Sequence, residues 1–217
     1  MNAPIWPLFD LRLVTDRLEL RLPSDPELED LSAVARAGIH APDEMPFGYP
    51  WTDRESPAFE RGLLQWHWRA RGEWSPDSWR LILAVFLDGR PIGSQDMWAV
   101  DFATIRRVDT GSWLGRPFQG QGLGKQMRSA VLALAFHGLG AEIADSAAFL
   151  DNPASSSVSR ALGYRPNGLT EMAPRGVSRP MERYRLTRED WQGRARPGVE
   201  IEGLEACREM FGVMPRP

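Results

Sequence analysis

The chain has 217 residues, of which 42% are hydrophobic and 25% are charged, and its formal net charge at pH 7 is −3. These values are typical of a globular protein of one domain or two small ones, and the acidic balance argues against a dedicated nucleic-acid binder. The sequence contains no apolar run long enough for a membrane span, and its first residues lack a signal-peptide pattern, so we expect a cytoplasmic protein. A single cysteine, Cys207, excludes an internal disulfide framework, and three scattered histidines predict no metal site.

The first half of the chain has the patterns of strands and covering helices. Alternating leucines indicate a half-buried strand, a serine before an acidic turn indicates a helix start, and Asp-Gly between two apolar runs indicates a hairpin. The predicted elements are a strand over 18–22, a helix that begins at Ser24, a proline- and glycine-rich loop over 38–56, a helix over 57–70, and a hairpin over 79–100 that turns at Asp88-Gly89-Arg90.

The second half predicts a strand–loop–helix series. Its elements are a strand over 108–114, a loop over 115–122, a helix over 123–137, a strand over 142–149, a helix over 153–161, a strand after Tyr164 and a last strand over 181–186. No repeat or linker divides the chain. We therefore predict one domain over residues 1–191, followed by a C-terminal extension over 192–217 with a short helix.

Three glycines at alternate positions, Gly120, Gly122 and Gly124, lie between a predicted strand and a predicted helix. Glycine permits unusual backbone angles, so successive N–H groups can converge on phosphate oxygens at the positive end of the helix. The dinucleotide pattern G-x-G-x-x-G is absent, and the phosphate loop of NTPases is incomplete because Gln126 follows Lys125. The pattern thus predicts an anion cradle, with a tight strand–helix turn as the alternative.

Four ordered motifs resemble the GCN5-related N-acetyltransferase (GNAT) superfamily and its RimJ/RimL-like branch. They are LVTDRLELR at 13–21, GSWL at 111–114 with Q-x-x-G-x-G at 119–124, NPASSSV at 152–158 with LGY at 162–164, and YRLTREDW at 184–191. The resemblance implies an α/β (α+β) fold with a mixed, mostly antiparallel sheet, splayed in the middle and covered by helices on both faces. It also implies acyl-coenzyme A as co-substrate.

The resemblance assigns cofactor contacts residue by residue. The backbone of Trp113 and Leu114 pairs with the pantetheine arm like an added strand and supplies an oxyanion donor, and Asn152 hydrogen-bonds that arm. The residues implied to hold the pyrophosphate are Gln119, Gly120, Gln121, Gly122, Leu123, Gly124 and Lys125.

The implied reaction is direct attack of a primary amine on the acyl thioester in a ternary complex, which needs a base and an acid. Asp109 occupies a position that is often acidic in the family, so we expect it to accept the amine's proton. The alternative is a strand-edge aspartate paired with Arg106 or Arg107, and Asp96 and Asp145 are rival carboxylates.

Two further side chains have a functional and a structural interpretation. Ser155 is placed like the hydroxyl that protonates the departing thiolate in this branch, although a serine near a helix start is commonly an N-cap. His67, between Trp66 and Trp68, is a candidate for the acyl pocket or a packed wall.

Donor and acceptor are left open by the sequence. The donor is acetyl-CoA or succinyl-CoA, the latter needing a residue such as His67 or Arg80 for its carboxylate. The acceptor is a small amine or a protein N-terminus. Loop 38–56 contains Asp43, Glu44 and Asp53, which are candidates to attract a cationic amine, with a solvated acidic loop as the alternative. We expect no metal, nucleic-acid or membrane partner and allow for a homo-oligomer. A non-catalytic acyl-CoA-binding or sensing module on the same fold is the alternative function.

Overall fold

The computed structural model describes residues 5–193 and 198–214, which form one central sheet with helices on both faces. The strands are β1 (Arg12–Val14), β2 (Leu18–Arg21), β3 (Ser78–Leu87), β4 (Arg90–Val100), β5 (Arg107–Leu114), β6 (Ile143–Phe149), β7 (Arg165–Met172), β8 (Arg179–Thr187) and β9 (Glu200–Glu202). The helices are α1 (Asp25–Arg36), α2 (Ala58–Gly72), α3 (Phe102–Ile105), α4 (Leu123–Ala133), α5 (Pro153–Ala161), α6 (Arg188–Gln192) and α7 (Leu204–Cys207).

The sheet has the order β7-β8-β6-β5-β4-β3-β2-β1-β9. Every neighbouring pair is antiparallel except β5 and β6, which run parallel. A parallel pair needs a long crossover, and α4 supplies it. The prediction of a mixed, mostly antiparallel sheet is therefore confirmed.

Local signals account for the helix starts. Ser24 and Glu27 form a capping box at α1, in which each side chain accepts from the other residue's backbone N–H. The helix predicted over 123–137 is α-helical only to Ala133 and continues as a π-helix over Leu134–Leu139, with Gly140 in the left-handed region after it. None of the helices among the described residues is long and apolar enough to cross a membrane.

Two apolar cores lie on opposite faces of the sheet. We call them the α1/α2 face, where Leu28, Leu31 and Leu63 pack on Phe86, and the α4/α5 face, where α4 packs on inward residues of β2 to β6. Alternate residues of each strand belong to opposite faces. A side chain's position along β5 therefore decides which set of helices it meets.

The C-terminal segment completes one edge of the sheet. Ile201 in β9 pairs with Leu13 in β1, and Phe211 packs edge-on against Trp74 and Trp79 at ring distances of 5.4 and 5.0 Å. The predicted short helix corresponds to α7. Residues 194–197 and 215–217 of the predicted extension lie outside the described part of the chain.

Candidate active site

The two parallel strands separate in the middle of the sheet. β5 and β6 pair at Arg107↔Ile143, Val108↔Ala144 and Asp109↔Asp145, and their pairing ends there. β5 runs on to Leu114 beside β4, whereas β6 runs on beside β8. Beyond Asp109 the β6-facing edge of β5 therefore has no neighbouring strand among the described residues. We call this gap, between 110–114 of β5 and 146–149 of β6, the wedge.

A glycine that was not predicted as part of the site keeps β4 close to the wedge. Gly93 pairs with Leu114, and a Cβ atom on Gly93 would lie 2.3 Å from the carbonyl oxygen of Trp113. Any side chain here would displace β5 at the residues implied to contact the pantetheine arm. The only sequence signal was an isolated glycine within a strand, which often marks a close backbone approach.

The glycine loop after β5 presents free backbone donors. Gly120 has φ +74° and Gly122 has φ +80°, and α4 begins directly afterwards. The amide N–H groups of five consecutive residues donate no hydrogen bond to any described residue; these residues are Gly120, Gln121, Gly122, Leu123 and Gly124. Unpaired donors at a helix N-terminus form an anion site, since the helix dipole adds to their partial charges.

The side chain of Gln119 shapes this loop from within. Its Nε2 donates to the carbonyl oxygens of Leu114, at 2.8 Å, and Ile39, at 2.7 Å. The Arg116 N–H donates to the carbonyl oxygen of Gly38 at 3.0 Å. The segment that follows α1 therefore fixes the loop, and Gln119 contributes a structural side chain besides its backbone.

Two cations flank a cleft beside the cradle. The cleft has a volume of about 440 Å³ and is lined by the start of α4, the end of α5 and the β1–β2 turn. Arg17 Nη1 donates to the carbonyl oxygen of Gln121 at 3.4 Å, and the exposed Lys125 lines the same cleft. The region thus combines free amide donors with positive charge.

A row of five side chains, four of them charged, crosses the α1/α2 face of the sheet. It lies at the end of the wedge where β5 and β6 still pair, which we call the closed end. In strand register the row runs Arg80, Trp98, Asp109, Asp145 and Arg185. Arg185 binds both carboxylate oxygens of Asp145, at 2.8 Å each. Asp145 is thereby committed to an ion pair and is excluded as a free base.

Asp109 has no such partner. Within the described residues it forms no ion pair with Arg106, Arg107 or any other cation. The alternative of a strand-edge aspartate paired with one of these two arginines is therefore not observed. Burial, and then the negative charge of Asp145, raise the pKa of Asp109 above its ordinary value. Both effects disfavour the ionised form, which makes the carboxylate a stronger base.

Asp96 is the second unusual carboxylate on this face. It lies 3.5 Å from Arg80 Nη1 and accepts from Ser94 Oγ at 3.3 Å, yet burial raises its pKa to about 6. The Arg80 guanidinium itself lies over two indole rings, 4.0 Å from the Trp98 centroid and 5.0 Å from that of Trp66. Arg80 is thus held in place by its neighbours rather than projecting freely.

Asn152 and Ser155 lie at the start of α5. Asn152 is the N-cap, because its Oδ1 accepts from the Ser155 N–H at 3.1 Å. Ser155 is therefore not the cap, and its half-buried hydroxyl has no hydrogen-bond partner among the described residues. The Oδ1 of Asn152 is occupied, while its amide nitrogen remains able to donate.

His67 does not lie in a pocket that can hold an acyl group. It is 3% exposed and lines a cavity of about 10 Å³ together with Arg80 and Ile82. Burial, and then the charge of Arg71, lower the pKa of His67 to about 3, so its imidazole is neutral at physiological pH. The packed-wall interpretation describes His67 in this structure.

Loop 38–56 is anchored rather than open. Trp51 packs on Phe59 and Trp113 at ring distances of 5.6 and 5.9 Å. Arg175, between β7 and β8, binds both carboxylate oxygens of Asp53 at 2.7 and 2.6 Å. Asp53, one of the acidic residues considered from the sequence to attract a cationic acceptor, is therefore already neutralised.

A known protein family and several solved structures resemble this chain. A family model described as an acetyltransferase (GNAT) domain matches residues 17–165. The chain is similar to the solved structure of Mycobacterium smegmatis RimJ in complex with a CoA disulfide, with a TM-score of 0.65, 17% identity, and coverage of 85% of this chain and 90% of that chain.

Two further solved structures share the fold. RimL, a ribosomal L7/L12 alpha-N-protein acetyltransferase in complex with coenzyme A, has a TM-score of 0.63 and 18% identity, with 80% of this chain and 96% of that chain covered. A GCN5-related N-acetyltransferase from Brucella melitensis has a TM-score of 0.65 and 17% identity, with 83% of this chain and 80% of that chain covered.

Among the described residues no cluster of His, Cys, Asp or Glu is suited to a metal ion.

Proposed function

The chain belongs to the GNAT acetyltransferase family and is a CoA-dependent N-acyltransferase, and we propose that it transfers an acetyl group from acetyl-CoA to the terminal amine of a protein or peptide. The observation that carries the proposal is the wedge, which has free backbone donors at its open end and the unpaired Asp109 at its closed end. This arrangement supports an anionic cofactor beyond the C-terminal end of β5 and deprotonation of an amine near its N-terminal end.

The residues present fit coenzyme A. The five free N–H groups between Gly120 and Gly124 suit the pyrophosphate, and Lys125 adds charge. The unpaired edge of β5 suits an extended amide-containing arm, which binds Trp113 and Leu114 like an added strand. The Asn152 amide donates to the same arm.

In the proposed chemistry three positions of the chain act on the reacting atoms. Asp109 takes the proton of the attacking amine directly or through a water molecule. A backbone N–H of Trp113 or Leu114 donates to the oxyanion, a contribution on the order of 3 kcal/mol when preorganised. The C–S electron pair leaves with sulfur, and the Ser155 hydroxyl passes its proton to the thiolate while it takes one from solvent water, which leaves a thiol and a neutral serine.

The state of two residues favours acetyl over succinyl transfer. His67 is neutral and faces a cavity of about 10 Å³, so it offers no cation to a carboxylate. Arg80 is engaged by Asp96 and two indole rings. The candidates for holding a succinyl carboxylate are thus committed elsewhere.

The acceptor proposal is supported by a structural neighbour. RimL is named as a ribosomal L7/L12 alpha-N-protein acetyltransferase, and we infer an acceptor of the same chemical kind, an exposed N-terminal amine. We also propose that the chain is a member of the RimJ/RimL-like branch, acts in the cytoplasm and can form a homo-oligomer.

A donor-and-acceptor panel tests the proposal. Acetyl-CoA and succinyl-CoA are each mixed with peptides that carry a free or a blocked N-terminus and with small polyamines, and free thiol release is recorded. We expect release with acetyl-CoA and free N-termini, at least tenfold faster than with succinyl-CoA. Equal rates for both donors, or release only with polyamines, would contradict the donor or the acceptor assignment respectively.

A further inference from the structure

A buried arginine that was not singled out in the sequence spans the wedge. Arg128 of α4 is 3% exposed, and it reaches across the α4/α5 face with both terminal nitrogens. Nη2 donates to Ser112 Oγ on β5 at 2.9 Å, and Nη1 donates to Ser146 Oγ on β6 at 3.0 Å. Both serines follow the last paired residues of their strands. The guanidinium therefore lies just beneath the point at which β5 and β6 separate.

The positive charge of Arg128 is not balanced by an adjacent carboxylate. It forms no ion pair within the part of the chain that the structure describes, and its Nε has no hydrogen-bond partner there. Desolvating a cation costs several kcal/mol unless a counter-ion or hydrogen bonds compensate. Asp96 on β4 and Tyr164 after α5 interact electrostatically with Arg128, and Tyr164 also interacts with Asp145 on β6. Asp145 is already paired with Arg185.

The two serines bound to Arg128 differ in what their own hydroxyl hydrogens do. Ser146 Oγ donates to the carbonyl oxygen of Thr110 at 3.5 Å. Ser112 Oγ accepts from Arg128, and its hydrogen has no acceptor among the described residues. A hydroxyl that accepts from a cation becomes a better donor, because hydrogen bonds in series polarise one another. Ser112 is thus an activated donor without a protein partner, at the edge of the wedge.

We propose that Ser112, polarised by Arg128, donates a hydrogen bond to the negative charge that develops on the reacting thioester, with Arg128 as its positioning residue. This inference rests on the proposed acyl transfer. Amine attack places charge on the carbonyl oxygen, and breakage of the C–S bond then places the electron pair on sulfur. A donor fixed by a buried cation needs no reorganisation as that charge appears. Ser112 donates without transferring its proton, so Asp109 and Ser155 retain the proton transfers.

Variants of the pair separate this role from packing. We expect Ser112→Ala to lower kcat roughly 10- to 100-fold, the effect of losing a hydrogen bond to a charged group, with the Kd for acetyl-CoA unchanged. Arg128→Met, which keeps an unbranched apolar stem and removes the guanidinium, is expected to lower kcat similarly. We expect the kcat of the double variant to be no lower than that of the slower single variant, because the two residues act in series. Ser146→Ala is the matched control and should retain kcat within about twofold.

Titration of bound CoA supplies a readout that does not depend on turnover. The thiolate absorbance of CoA in the binary complex is followed against pH, and free CoA titrated under the same conditions gives the reference pKa. We expect the pKa of the bound thiol to lie below that reference and to rise by about 1 in Ser112→Ala but not in Ser146→Ala. An unchanged pKa and kcat in Ser112→Ala would overturn the inference.

The same experiments distinguish failure of this inference from failure of the proposed function. If the native protein binds CoA but acetylates no amine, the thiol titration still tests Ser112 and Arg128, since it needs only the binary complex. If Arg128→Met does not fold, Ser112→Ala and Arg128→Lys carry the test. We expect kcat in Arg128→Lys to lie between the values of Arg128→Met and the native protein. If both variants lose kcat equally, and the effects of the Ser112 and Arg128 substitutions on kcat add in the double variant, the role of Arg128 is packing alone.

Discussion

Asp109 and Asp145 face each other across the last paired position of β5 and β6, yet only Asp145 has an arginine, Arg185, on its carboxylate. The two aspartates thereby acquire different chemistry. Asp145 is held in an ion pair that joins β6 to β8, whereas Asp109 remains unpaired with a raised pKa. The difference explains why we assign the amine's proton to Asp109.

Replacing Asp109 with asparagine tests that assignment. We expect kcat to fall about 100-fold or more, the usual contribution of a general base, with the Kd for acetyl-CoA unchanged. The native rate should rise with pH as Asp109 loses its proton, and the variant should lack this acidic limb. Steady-state kinetics against pH measure both effects. Asp30→Asn, on the exposed surface of α1, is the control, and a native-like profile in Asp109→Asn would remove the residue from the mechanism.

Asp96 makes folding stability depend on pH in a defined direction. Its pKa is about 6 in the folded protein and about 3.9 when unfolded. Protonated Asp96 therefore contributes stability that is fully present below about pH 4 and is lost as the pH rises through 6. We expect Asp96→Asn to lack this loss, so the free energy of unfolding of the variant relative to the native protein should increase between pH 4 and pH 7. Urea unfolding at both pH values measures it, and a constant difference would contradict the assigned pKa.

Alanine at Gly122 tests the cradle. Gly122 and Gly89 have φ values of +80° and +76°, and a Cβ atom added to either would meet no other atom within 4 Å. Both substitutions should lower stability by a similar amount, about 1–2 kcal/mol. Only Gly122→Ala should also weaken acetyl-CoA binding, by about tenfold or more, because the loop amides must stay convergent. Calorimetric titration with acetyl-CoA measures the Kd of both variants. Equal Kd values in Gly122→Ala and Gly89→Ala would argue against the cradle.

Two residues at the start of α5 are expected to differ in role, with Asn152 acting on stability and Ser155 on catalysis. Asn152→Ala removes the N-cap and should lower the free energy of unfolding by about 1 kcal/mol. Ser155→Ala should leave stability unchanged, since its hydroxyl bonds no described residue, but should lower kcat about tenfold or more through loss of the thiolate's acid. Thermal unfolding and kinetics on both variants provide the comparison. A stability loss with full turnover in Ser155→Ala would assign that serine to the fold alone.

Much of the fold was predictable because its signals are local. The Asp88-Gly89 turn, the Ser24 cap and the glycine loop each specify backbone geometry over a few residues. The short strand β9 was not predicted, because three residues carry no periodicity and pair only through the tertiary fold. The π-helical end of the α4 segment was likewise not predicted from the glycines that follow it.

The backbone cradle was predicted from the spacing of the glycines, whereas Asp109 was predicted only through the family resemblance. The partners that decide side-chain chemistry lie far along the chain. Arg185 is 40 residues from Asp145, and Arg175 is 122 residues from Asp53. No sequence pattern indicates which of 26 basic residues pairs with which carboxylate. Likewise, nothing in the helical pattern of α4 marks Arg128 as buried beneath the wedge.

The most decisive test of N-terminal acetylation is the mass of a peptide incubated with the protein and acetyl-CoA. We predict that a peptide with a free N-terminus gains one acetyl group on its terminal amine, that the same peptide with a blocked N-terminus gains none, and that Asp109→Asn slows the gain about 100-fold. Acetyl-CoA binding without any modified peptide or amine would refute the proposed transfer and leave the chain as a binding module.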